Sequence, residues 1–176
     1  MQARLLLSAT LALSVATPLA AQSPIQLALF NPIQIVKQDK AVKGLRFDLI
    51  YGVNSMVTGL DLGLVNMSTG TGHNAGIQFG GVSMVKGSFT GWQSNLFSST
   101  EGRFVGLQTG LISMSHESQG LQWSGVNSAW NHHGLQLAVV NYARQINGVQ
   151  IGLVNIIKTG GQFPVFPIVN WGKSSK

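Results

Sequence analysis

Gly134-Leu-Gln-Leu-Ala-Val-Val-Asn141 and Gly148-Val-Gln-Ile-Gly-Leu-Val-Asn155 lie fourteen residues apart and share one template. A leading glycine is followed by apolar residues at the first, third and fifth positions, Gln at the second, a small residue at the fourth and Asn at the end. The same template covers Gly59–Asn66, Gly76–Ser83, Gly91–Ser98, Gly106–Ser113 and Gly120–Asn127, and degenerate copies occupy Pro24–Asn31, Gly44–Tyr51 and Phe163–Asn170. The ten units start 20, 15, 17, 15, 15, 14, 14, 14 and 15 residues apart, a nearly constant period after an irregular opening. Self-similarity at a fixed short period is the signature of a repeat architecture and precedes any element assignment.

Each octet is short, bounded by Gly and Asn or Ser, and rich in Leu, Val, Ile and Phe, which predicts strand rather than helix. Alternation puts Leu135, Leu137 and Val139 on one face and Gln136 and Ala138 on the other. The intervening stretches, such as Ser128–His133 and Tyr142–Asn147, read as polar turns. Asn66, Asn127, Asn141 and Asn155 read as corner formers, because Asn tolerates left-handed backbone and bonds nearby main chain. The leading glycines read as corners or points of close backbone approach. The second-position column runs Gln26, Arg46, Asp61, Gln78, Gln93, Gln108, Gln122, Gln136, Gln150 and Val165. Stacked Gln residues can hydrogen-bond along the array. The column's only charges, Arg46 and Asp61, are opposite and fall in consecutive units, so neighbour pairing predicts an ion pair.

Two all-β architectures can use such units. In a single-domain β-solenoid of about ten short units each unit is one coil; in an antiparallel outer-membrane β-barrel of about ten strands each unit is one strand, its apolar face toward lipid. Bacterial barrels alternate short turns with long loops, and the spacing here has no such rhythm. The solenoid is therefore expected, with Pro24, Pro164 and Pro167 at caps that block further strand addition. The expected organisation is a signal peptide at 1–21, an N-terminal cap with degenerate repeats at 22–58, core tandem repeats at 59–155, and a degenerate repeat with a basic tail at 156–176.

The octets resemble a family of exported bacterial surface-repeat proteins with tandem Gly-Leu-Gln-x-Gly-Leu-Val-Asn units. The likeness covers essentially the whole mature chain. It implies an exported envelope or surface protein and brings no reaction, ligand or catalytic residue. Asp61 and Arg46 in place of Gln, and Asn95 in place of Gly, depart from the pattern.

The first residues carry the address. Met1–Arg4 is a short positive start, Leu5–Ala16 is apolar or small throughout, and Pro18 precedes Leu19-Ala20-Ala21, the pattern of a secretory signal peptide cleaved after Ala20 or Ala21. Twelve such residues fall short of the ~20 of a membrane-spanning helix. The mature chain then carries +5, with ten Lys and Arg against five acids. Charged residues are 9% and hydrophobic ones 44% of the chain, which excludes a disordered composition. With Cys 0, disulfides, thiolate metal sites and a Cys nucleophile are excluded.

No catalytic constellation is legible, and no catalytic, cofactor-binding or metal-ligating residue is assigned. The five acids, Asp39, Asp48, Asp61, Glu101 and Glu117, suggest no acid–base pair. Stacking would bring His116 and Glu117 near His132 and His133, a zinc- or nickel-compatible set, although the plainer reading is exposed turn residues. The basic residues cluster at Lys37, Lys40 and Lys43 and at Lys173 and Lys176 without interleaved aromatics, which disfavours nucleic acid. The expected function is a non-enzymatic structural or adhesive protein of the bacterial envelope, at outer membrane, cell surface or periplasm. Its expected partners are an anionic envelope surface or another envelope protein; the alternative is a small barrel acting as pore or anchor.

Overall fold

The computed structural model of the protein describes residues 23–173. The signal peptide expected at the N-terminus lies outside them, as does Lys176. Eight strands are ordered β2-β1-β3-β4-β5-β6-β7-β8 in one sheet, and there is no helix among the described residues. They are β1 (Ser23–Phe30), β2 (Ile33–Gln34), β3 (Ala41–Asn54), β4 (Met56–Ser68), β5 (His73–Val85), β6 (Ser88–Leu137), β7 (Val140–Thr159) and β8 (Val165–Gly172). β6 is fifty residues long because it winds through successive coils without a break. The architecture is a parallel β-solenoid of about nine turns, not a barrel.

Neighbouring coils pair in parallel and in the register the octets dictate. Gly44 lies beside Gly59, Gly59 beside Gly76, Gly76 beside Gly91, and Gly134 beside Gly148. Within β6 the same column continues through Gly106 and Gly120. The leading glycine is required at each step. Gly76 has φ +125°, and a Cβ on it would lie 1.9 Å from the carbonyl oxygen of Gly59; at Gly134 the values are +134° and 2.1 Å from Gly120. Both the dihedral and the approach exclude an L side chain.

The sequence reading needs three corrections here. The stretches read as turns are mostly strand: Ser128–His133 lies inside β6 and Tyr142–Asn147 inside β7. Their small side chains, Ala129 and Ala143, point inward and are buried, which lets the chain stay extended around the coil. The octet asparagines are not left-handed corners either. Among the described residues the one non-glycine with positive φ is Ile168, and Asn66, Asn127, Asn141 and Asn155 are buried inside the coil. Finally, nine units stack in parallel and the tenth runs backward. β8 is antiparallel to β7, so Asn170, not Val165, lies opposite Gln150.

That reversal caps the rod. β2 folds back antiparallel on β1 at one end and β8 covers the other, with Pro167 in the outermost strand lacking an N–H to recruit a further one. Gly134→Ala is expected to destabilise the protein by about 3 kcal/mol or more, through strain and backbone clash together. Denaturant unfolding followed by circular dichroism checks this; a loss below about 1 kcal/mol would contradict the close approach.

Candidate functional site

The solenoid is polar inside and apolar outside. Among the described residues twelve hydrophobic side chains are buried, against twenty-seven polar or charged ones. Nine of the buried apolar groups form three small clusters, Val36–Val42–Val57, Val85–Phe89–Phe104 and Ala143–Ile146–Ile157. The Gln column faces inward, so it presents nothing to a partner, whereas the apolar columns of the octets face solvent.

Inside, stacked amides replace the missing oil. Gln150 Nε2 donates to Gln136 Oε1 at 2.8 Å, Gln136 to Gln122 at 2.7 Å, Gln122 to Gln108 at 2.8 Å, Gln108 to Gln93 at 2.9 Å and Gln93 to Gln78 at 2.8 Å. Gln78 Nε2 donates to Asp61 Oδ2 at 2.6 Å. Second amide protons are also used: Gln122 donates to Ser115 Oγ at 3.2 Å and Gln150 to the Ile156 carbonyl at 3.2 Å. A shorter ladder beside it runs the other way, Asn127 Nδ2 to Asn141 Oδ1 at 3.0 Å and Asn141 Nδ2 to Asn155 Oδ1 at 2.9 Å.

The ion pair expected from the column is present. Arg46 Nε donates to Asp61 Oδ1 at 2.6 Å and Nη2 to Oδ2 at 2.7 Å, a bidentate contact in the buried interior. Arg46 Nη1 reaches the Met67 carbonyl at 3.0 Å. A third charge was missed in the sequence. Asp48 lies 3.2 Å from Arg46 Nε, is fully buried, and has no hydrogen-bond donor on either oxygen among the described residues. Burial raises the Asp48 pKa to about 6; attraction to Arg46 opposes this and repulsion from Asp61 adds to it. Burial also works against the Arg46 cation, but Asp61, with Asp48 assisting, outweighs it and holds the pKa above its ordinary value. The signal for Asp48 was its place two residues after Arg46, on the same face of a strand.

The histidine expectation is met in part. Glu117, His132 and His133 line one cleft of about 330 Å³ with Arg103, while His116 lines a separate depression with Trp130. His116 and Trp130 stack at 5.7 Å, and Arg144 lies 4.2 Å over the Trp130 ring. No group of three or more His, Asp or Glu able to hold a metal forms among the described residues. The turn reading fails for His132, which is buried with Nδ1 2.5 Å from Ser118 Oγ, and desolvation lowers its pKa to about 4.

Outside, the first, third and fifth positions of nine coils build a continuous wall. It runs from Ile25, Leu27 and Leu29 through Leu64, Trp92, Leu96, Leu111 and Trp123 to Ile151 and Leu153. Leu64, Leu96, Trp123 and Leu153 are 60%, 66%, 62% and 69% exposed, and no wall position carries a charge. An exposed apolar surface this extensive marks an interaction site.

Gln108→Leu removes the ladder acceptor of Gln122 and the ladder donor of Gln93, leaving only Ser115 Oγ and Thr100 Oγ1 as their partners there, so it is expected to destabilise by about 1–3 kcal/mol. Leu27→Gln, the opposite exchange on the first coil of the wall, should change stability by less than about 0.5 kcal/mol. Equal effects in urea unfolding would refute the inverted interior.

Asp48 has a folded pKa near 6, above the ordinary ~3.9, so its stabilising contribution is full below pH ~4 and lost as pH rises through 6. Unfolding free energies of the parent and Asp48→Asn should therefore shift by about 2 kcal/mol in the variant's favour between pH 4 and pH 7. His132, neutral in the fold, acts oppositely over pH 6.5 to 4 but is common to both proteins. Parallel pH profiles for the two proteins would refute the buried carboxyl. The chain matches no family model, and no curated protein or solved structure shows significant similarity to it.

Proposed function

We propose that this chain is a non-enzymatic structural or adhesive protein of the bacterial envelope or surface, a stiff rod whose apolar wall is its binding face. The observation that carries the reading is the uncharged wall itself, placed outward while the amides are turned inward. An ordinary solenoid would bury such columns; exposing them exposes surface whose burial is worth about 25 cal/mol per Å². The start of the chain supports export, with a positive, apolar and small-residue pattern before Gln22. The octet resemblance to exported surface-repeat proteins supports the same compartment.

Attachment to anionic headgroups has weaker support. The cations of the return stretches, Lys86, Arg144 and Lys158, share their column with Glu101, His116 and Trp130 and make no continuous basic stripe. Expressed with its leader in a diderm bacterium, the chain is expected in the envelope fraction with its N-terminus at residue 21 or 22. There it should resist 1 M salt and be released by the double substitution Leu96→Asp/Leu111→Asp. Retention of Met1 in the cytoplasm, or equal envelope binding by a folded double variant, would contradict this proposal.

A further inference from the structure

We infer that the occupant of the apolar wall is a second copy of this chain, docked face to face about a two-fold axis that crosses the Gly106–Ser113 coil. The inference rests on the reading of the wall as the working face and names what covers it. Size is the first support. Under that axis the Gly44 coil faces β8, the coils between face one another and the first coil is left uncovered, so nine strands at about 4.8 Å spacing and five residues at about 3.3 Å make a face on the order of 38 by 17 Å, or 650 Å². Two such faces bury about 1,300 Å², within the about 1,200–2,000 Å² of stable specific complexes.

Charge is the second support. A lipid surface selects Lys and Arg beside the apolar face. Here Lys86, Arg103, Arg144 and Lys158 stand ten to twelve residues after their leading glycines, on the return side of the coil. The octet positions of the wall offer no cation to a headgroup and bring no like charges together when two copies meet, and Lys43 and Lys173 are left at its rim, one position outside the octets.

The third support is shape. A two-fold axis lying along the strand of the Gly106–Ser113 coil faces each coil with the one equally far on the other side, and like positions with like. It places protruding Trp123 over Ser94 of the second copy, Leu96 over Gly125 and Val139 over Gly81, while Thr109 and Leu111 face themselves. Three of the wall's small positions thus each receive a large exposed side chain, and the fourth, Thr109, sits on the axis. This is the self-complementarity an isologous interface requires, and it packs two sheets about 10 Å apart. The solenoids run antiparallel and the polar return sides are left outward.

The chain has no cysteine, so introduced thiols report the register cleanly. Sedimentation of the mature protein should give a dimer mass, lowered to the monomer by Trp123→Asp with an unchanged circular dichroism spectrum. Mild oxidation should cross-link Thr109→Cys, on the axis, several-fold more completely than Leu64→Cys, three coils away from it. A monomer at micromolar concentration would overturn the inference, as would equal cross-linking of the two thiols. So would a monomer that floats with phosphatidylglycerol and phosphatidylethanolamine vesicles. A monomeric parent that still sediments with envelopes sinks the dimer alone; a dimer absent from envelopes sinks the envelope reading alone.

Discussion

The structure depends on a carboxylate at the end of a row of amides. Asp61 can only accept, and it takes two hydrogen bonds from Arg46 and one from Gln78. With that acceptor fixed, each Gln from 78 to 150 turns its Nε2 toward the preceding coil and its oxygen toward the next. The row is satisfied only if consecutive coils stay in register, so the ladder specifies the stacking that backbone pairing alone would leave free to slip. The opposite end shows the same logic: Gln150 Oε1 faces β8, where Asn170 Nδ2 donates to the Asn155 and Phe163 carbonyls instead, and is left without a partner among the described residues.

Turning amides inward has a consequence on the outside. A coil this short encloses little volume, and the position between the Gln and Asn ladders must be nearly empty: a Cβ on Gly80 would lie 2.0 Å from the Gly63 carbonyl oxygen and 2.9 Å from Asn66 Nδ2. Large apolar side chains therefore have no room on the Gln face of the octet and are admitted only beneath the return stretches, as Phe104 and Ile146 are. Period-two alternation then sends the Leu, Ile, Phe and Trp of every octet to solvent together, as one wall rather than scattered residues. The exposed face and the polar interior follow from the same constraint on cross-section.

Much of this was legible in the sequence. The octet spacing identified the coils, and the opposed charges at Arg46 and Asp61 identified their neighbour relation. What the pattern did not show was which face of the alternation pointed inward, because alternation is symmetric to that choice. The decisive clue was the fourth position, occupied by Gly63, Gly80, Gly110 and Gly152: glycine on the Gln face signals crowding there. The octet asparagines misled because turn propensity and in-register stacking select the same residue, and here the second prevailed. His132 was likewise unreadable, since a histidine between Asn131 and His133 in a polar stretch looks exposed until the neighbouring coil supplies Ser118.

The two ladders together explain where asparagine side chains join in a row. Six Gln amides aligned in one direction sum their dipoles, with the donor end toward Asp61 offset by its negative charge. That compensation weakens with distance along the rod, since a charge interaction falls with separation. In the three coils most distant from Asp61 that carry a complete octet, Asn127, Asn141 and Asn155 form a second row whose donors point the opposite way. Nearer the carboxylate the equivalent places hold Ser83, Ser98 and Ser113, whose hydroxyls make no continuous row. Asn66, in the coil of Asp61 itself, donates instead to the Gly63 and Phe79 carbonyls and joins no side-chain row, so opposed amide rows form, and offset each other, only in the coils where no ion is at hand.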